Sequence, residues 1–334
     1  MRPKCSIVIL WNVVVLGGAF AAGAEPLAAG KASEEKAARA AAIRQTLDAI
    51  NQELKDHGGA WEAWAASLTP FRAELSKPGN KAGKRGFAFD GSDVRMLTVD
   101  KVEDLPCGRR PQESMVHLSR QLQARGIDLM VVFIPDKLAT YPDYLVENAP
   151  KDGQVAVQMR RFMKELLEND VEVVDLYPAY RKFRQEKQDK AQLFYPRDRH
   201  WRNAGAQVAA EQIAEHLKRY SFVRNALAQG NRYTGKAARR TDSKKADDIL
   251  QVFDRDGKAY RDVPDSPVLL TGDSYSKYNW APGTEEPTAH LSAQVALRVA
   301  MPLSYWNHEG SWDQLPQVLA QEQQEWGLNG RRVI

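Results

Sequence analysis

Ile127-Asp128-Leu129-Met130-Val131-Val132-Phe133-Ile134 is a short, almost wholly apolar run. It is too short for a helix and carries no period-2 alternation, which is the signature of a strand buried on both faces of a parallel sheet. Working outward, residues 111–125 carry helical spacing and stop at Gly126. Downstream, a helix is expected over 154–169, with Val157, Phe162, Leu166 and Leu167 inward, and then a second buried strand over 171–176. A third helix begins at Asn203, where Ala206, Ala210, Ile213 and Leu217 share one face, and Val268-Leu269-Leu270 is a further apolar strand. Strands alternating with helices predict a doubly wound α/β fold on a mostly parallel sheet.

The N-terminal part is different. Arg2 and Lys4 precede an apolar run to about Leu16, and small residues end at Ala22-Gly23-Ala24. This is the layout of a secretory signal peptide over residues 1–24, with cleavage after Ala24; a retained membrane anchor is the alternative. The protein is therefore expected outside the cytoplasm, in the periplasm. Residues 25–78 are expected to form a helical segment. Ile43, Leu47, Ile50 and Leu54 form one stripe ending at His57-Gly58-Gly59, and a second helix carries Trp61, Trp64, Leu68 and Phe71, so the pair predicts a helical hairpin. The main domain is expected over residues 79–334.

Composition narrows the function. The formal charge of +4 loses two when Arg2 and Lys4 are removed, so no strong global field favours nucleic acid. Of the two cysteines, Cys5 lies in the leader, so Cys107 has no partner for an internal disulfide. Residues 225–247 are polar and basic (Lys236, Arg239, Arg240, Lys244, Lys245) and predict an exposed loop or lid, whose cations could also attract an acidic sugar chain.

Two motifs carry the chemistry. Thr271-Gly272-Asp273-Ser274-Tyr275-Ser276 follows a strand directly, where Gly272 permits a sharp bend and the amides after the turn can face a developing oxyanion. Tyr195-Pro196-Arg197-Asp198-Arg199-His200-Trp201 sets an acid and an imidazole two residues apart on a loop. A serine hydroxyl needs a base, and the base needs a carboxylate to fix its tautomer, so Ser274, His200 and Asp198 are the expected nucleophile, base and orienting acid. Ordinary polar-turn and structural-loop roles are the alternatives, and a metal site ranks below both because no nearby ligand set completes it. No cofactor is expected. His57 at a helix end and His117 and His216 within helices are expected on the surface or in packing, and so are His290 and His308, which could also line a pocket but have no acid beside them in the same arrangement.

GKRGFAFDG (83–91), IPDKLATYPDYL (134–145), FYPRDRHWRNAGAQVAAEQIAEHL (194–217) and LLTGDSYS (269–276) occur in this order. The set resembles the alginate O-acetyltransferases of the AlgJ and AlgX type over roughly residues 80–300. The resemblance implies an SGNH-hydrolase-like three-layer sandwich, with Ser274 accepting an acetyl group, His200 as base and Asp198 as its orienter. It further implies a polysaccharide acceptor and an acetyl donor supplied by a membrane-bound O-acyltransferase, in a membrane-associated biosynthetic complex. In ordinary SGNH hydrolases the serine block comes first and the Asp-x-x-His block last. Here the order is reversed and the spacing is one shorter, which favours the acetyltransferase branch. Lys137, Tyr275, Tyr278, Trp280 and Arg298 are candidates to shape the sugar site, because aromatic faces and cations suit carbohydrate carboxylates, with packing as their alternative. An esterase with the same triad and a non-catalytic polysaccharide-binding subunit remain open readings.

Overall fold

The computed structural model describes residues 13–18, 29–68, 81–89, 97, 111–150, 156–188, 190–240, 247–278 and 289–307. In chain order the named elements are β1 (Val13–Gly18), α1 (Ala29–Ser67), β2 (Lys81–Ala82), β3 (Ala88–Phe89), α2 (Pro111–Gln123), β4 (Ile127–Phe133), α3 (Lys137–Thr140), α4 (Val157–Glu168), β5 (Glu172–Asp175), α5 (Tyr177–Lys187), α6 (Asn203–Leu217), α7 (Ser221–Ala228), β6 (Tyr233–Arg240), β7 (Asp247–Asp254), β8 (Leu269–Gly272), α8 (Ser274–Lys277), α9 (Leu291–Val299) and β9 (Ser304–Asn307). Cys107, Lys244, Lys245, Trp280, His308 and the expected cleavage site at Ala24 lie outside the described residues.

The central sheet has the order β5-β4-β1-β8-β9. β4 pairs with β5, and β8 with β9, in parallel, while β1 is antiparallel to both β4 and β8. The strands that alternate with helices, β4, β5, β8 and β9, therefore all run the same way, and the one reversed strand comes from the leader-like segment. The apolar run reads as expected: Leu129 through Phe133 are all buried. Helix α4 packs with α1 and α2, α2 packs against β4, and α1 and α4 pack against β5, while α6 packs with α5, α9 and β5.

Two expectations are corrected. The N-terminal hairpin is one continuous 39-residue helix running through Gly58 and Gly59. Each glycine costs about 1 kcal/mol in a helix interior. Trp61, fully buried, and Trp64 and Leu68, nearly so, offset that cost on the following turns. Ion pairs fix the helix to the domain: Glu53 meets Arg160 and Arg181, and Arg39 meets Asp170 and Asp128. The basic stretch expected as a loop is instead α7 followed by β6, which pairs with β7 in an antiparallel hairpin of eight residue pairs. β6 lacks alternation because most of it faces solvent on both sides, so hydrophobic patterning gave no signal.

Candidate active site

Ser274 is the first residue of α8, immediately beyond β8. Gly272 stays within the strand opposite Asn307, so the bend falls one residue later than expected. Asp273 makes it: its Oδ1 accepts from the Tyr275 amide at 2.9 Å, capping the helix, and its carbonyl accepts from the Ser276 amide at 3.0 Å and the Ser276 hydroxyl at 2.7 Å. The Tyr275 amide, expected to face an oxyanion, is thus engaged. The Ser274 amide makes no hydrogen bond among the described residues.

The second motif is a tight loop closed on itself. Phe194 and Trp201 form an antiparallel bridge, the Tyr195 amide donates to the His200 carbonyl at 3.1 Å, and the Arg202 amide to the Leu193 carbonyl at 2.7 Å. Gly205 is needed beneath it, because a Cβ there would lie 2.8 Å from the Leu193 oxygen and 2.9 Å from the Trp201 Cβ. The loop is laced to the serine turn. Trp201 Nε1 donates to the Tyr275 carbonyl at 3.0 Å, and the Tyr275 hydroxyl to the Arg199 carbonyl at 2.6 Å.

These supports bring the three expected residues into line. Asp198 Oδ1 lies 2.6 Å from His200 Nδ1, and His200 Nε2 lies 2.8 Å from Ser274 Oγ. A carboxylate at Nδ1 requires the proton there, so Nε2 is left to accept from the serine hydroxyl. Asp198 Oδ1 also accepts from the His200 amide at 2.8 Å, which fixes the acid before the imidazole uses it. Tyr278 stacks on the His200 ring with centroids 4.9 Å apart and planes 19° apart. The side chains of His200 and Asp198 are 18% and 25% exposed, so the pair is reachable from solvent.

Of the other candidates, Tyr278 alone among the described ones lines this group with partial exposure. Lys137 is corrected: it is 2% exposed, and its ammonium donates to the carbonyls of Ala88 (2.7 Å), Pro196 (2.6 Å) and Asp198 (3.1 Å), tying β3 to the Asp-x-His loop. An ammonium spent on three backbone oxygens holds the loop and does not face a sugar. Tyr275, 1% exposed, is likewise a packing and lacing residue. Arg298 donates to the Gln294 carbonyl at 2.9 Å and feels Glu211, so it belongs to the α6–α9 packing and not to the triad. Among the described residues, no cluster of three or more His, Cys, Asp or Glu side chains could hold a metal.

Sequence reasoning missed two features. Burial raises the Asp273 carboxyl to about 7, with the amide of Tyr275 and the charge of Arg199 opposing. Between Gly272 and Ser274 it looked like a turn former. His290 is buried with Nε2 3.2 Å from Asp262 Oδ2, and Asp262 also accepts from Tyr260 and Ser292. The acid lies 28 positions upstream, so no local signal marked the pair.

A serine turn and an Asp-x-His loop meeting beyond the strand ends of an α/β sandwich define an SGNH-hydrolase-like domain. Residues 99–260 match the family described as SGNH hydrolase-like domain, acetyltransferase AlgX. The match includes Asp198 and His200 and ends before Ser274. A curated relative, the probable alginate O-acetylase AlgJ of Pseudomonas aeruginosa, is 23% identical over 159 residues, which are 46% of this chain and 37% of that protein. The chain thus spans well under half the length of that relative. The solved structure of Pseudomonas aeruginosa AlgX superposes with a TM-score of 0.50 at 15% identity, covering 75% of this chain and 59% of that one, a likeness of fold. The O-acetyltransferase domain of Pseudomonas putida AlgJ gives a TM-score of 0.48 at 17% identity, covering 75% and 88%.

Proposed function

We propose that this protein is an exported O-acetyltransferase that acetylates hydroxyls of an extracellular polysaccharide through an acetyl-serine intermediate. The observation that carries the reading is the unbroken hydrogen-bond chain from Asp198 through His200 to Ser274. Ser274 Oγ attacks the carbonyl carbon of an acetyl donor while His200 Nε2 takes its proton; collapse breaks the bond to the leaving group, which receives that proton. The Ser274 amide stabilises the oxyanion. A sugar hydroxyl then attacks the acetyl-serine, His200 takes its proton, and Ser274 Oγ is released and reprotonated. Asp198 orients the ring and stabilises the imidazolium at both stages. The apolar N-terminal run acts as a leader that brings the domain to the periplasm, where a membrane-bound O-acyltransferase supplies the donor. AlgX and AlgJ kinship supports alginate or a related polymer as acceptor.

The partial exposure of His200 favours one second reading, an esterase in which water replaces the sugar hydroxyl. The test uses purified protein, an activated acetyl ester and a polysaccharide acceptor. Ser274→Ala should abolish both acyl-enzyme and acetylated polymer, and retained transfer would remove the proposal. Acetate release with no transfer would select the esterase.

A further inference from the structure

Behind the β6–β7 hairpin, at the end opposite the triad, lies an open cleft of about 1150 Å³. Tyr233, Phe253 and Tyr260 line it, and Arg232, Lys258 and Arg261 stand exposed on its rim. These three cations make no ion pair among the described residues. Two acids also line the cleft. Asp254 Oδ1 accepts from the amides of Asp256 (2.9 Å) and Lys258 (2.8 Å), and the charges of both acids offset part of the rim. The cleft is rigidly made. Arg255 joins its two walls through the carbonyls of Asn231 (3.1 Å) and Gln229 (3.3 Å), and the Tyr260 hydroxyl in its floor bonds to Asp262, Ser292 and the Leu303 amide.

The hairpin connects this cleft to the triad. Its first pair, Tyr233 with Asp254, borders the cleft, and its last, Arg240 with Asp247, docks on the Asp-x-His loop. There Asp247 Oδ2 accepts from the Tyr195 hydroxyl at 2.9 Å and the Asn203 amide at 2.8 Å, and Arg202 lies 3.6 Å from its other oxygen. Seven strand steps separate the two ends, roughly 23 Å. Lys236 and Arg240 fall on one face of β6 between them, Lys236 over the Phe253 ring at 4.6 Å.

We infer that this cleft and the exposed face of β6 form a second binding subsite for an anionic polysaccharide, engaging the same chain whose hydroxyls reach Ser274. Spaced, exposed cations suit the repeating carboxylates of an acidic polysaccharide. Continuity with the triad favours a polymer over a separate ligand. The inference rests on the proposed acetyl transfer for its purpose, but its test does not.

Ser274→Ala protein, which cannot turn over, is titrated with long polygalacturonate, with neutral dextran and with anionic phosphatidylglycerol vesicles, alongside the same protein carrying Arg232→Glu, Lys258→Glu and Arg261→Glu. Polygalacturonate should bind in a salt-sensitive manner, and the three charge reversals should weaken it roughly tenfold or more at low salt. Equal polygalacturonate binding by both proteins would overturn the inference, as would dextran binding equally well, or charge-dependent binding of vesicles without polygalacturonate. With Ser274 restored, the reversals should leave serine-probe labelling and acetylation of short acceptors unchanged while raising KM for long chains. Charge-dependent polymer binding with an unreactive Ser274 would keep the subsite and remove the transferase; normal acylation with unchanged polymer binding would do the reverse.

Discussion

Replacing Lys137 by methionine keeps the length and most of the volume of a buried stem but deletes the ammonium that joins Ala88, Pro196 and Asp198. Charge-assisted hydrogen bonds contribute about 1.5–3 kcal/mol each, and each stranded carbonyl costs about 1–3 kcal/mol. Against this, burying an ammonium carries a desolvation cost of several kcal/mol that the variant escapes. The balance for three bonds is a loss of about 3 kcal/mol, which for a domain of this size lowers Tm by roughly 6–12 °C. Function should suffer more than stability. The Asp198 carbonyl is one of the three tethered atoms, and a displacement of about 1 Å at a catalytic group can cost roughly 100-fold in rate. Lys137→Arg should not rescue it, because a planar fork cannot present three donors around one point. The assays are thermal unfolding and the rate at which a serine-directed phosphonate labels Ser274. An unchanged Tm together with unchanged labelling in Lys137→Met would refute the assignment of Lys137 as the loop's anchor.

Asp198→Asn should leave the fold intact and lower kcat by roughly 10⁴-fold, the scale known for loss of the orienting acid in serine proteases, because the tautomer of His200 is then wrong; a fall below tenfold in acyl-enzyme formation would contradict its role. Asp273, raised from its ordinary value of 3.8 to about 7 by burial, binds its proton more tightly folded than unfolded. It therefore contributes stability that is complete below about pH 4 and is lost as pH rises through about 7, at most ~4 kcal/mol. Asp273→Asn, which keeps an oxygen for the Tyr275 amide, should flatten that fall in urea denaturation across the same range; an unaltered pH profile would show that the carboxyl is not held protonated. Gly205→Ala should cost about 1–3 kcal/mol and slow Ser274 labelling, since the new methyl meets the Leu193 oxygen and Trp201, and wild-type behaviour in both would show that the loop has room to give.

Periodicity made the central strands legible, and motif spacing pointed to the side chains of Ser274, His200 and Asp198, which meet in space. Met130 to Phe133 are buried, as an apolar run without alternation requires, and the Asp-x-His spacing lets one carboxylate oxygen reach both the amide and the ring of His200. What escaped was long-range. Lys137 looks like a surface cation until three distant carbonyls are placed around it. Gly58 and Gly59 read as a helix end because local propensity is visible in sequence, whereas the packing of Trp61 and the Glu53–Arg160 pair that override it are not. β6 carries cations where a half-buried strand would carry alternating apolar residues, so only its pairing with β7 identifies it. The Asp262–His290 pair is silent for the same reason, its partners meeting only after α9 has packed.

The most direct measurement is to expose the protein to an activated acetyl ester, quench in acid, and locate the acetyl group by peptide mass spectrometry. A single acetyl on the peptide containing Ser274, discharged when a polysaccharide acceptor is added and absent in His200→Ala, is the predicted result. Acetylated polymer formed by a protein that never carries acetyl on Ser274 would contradict the mechanism.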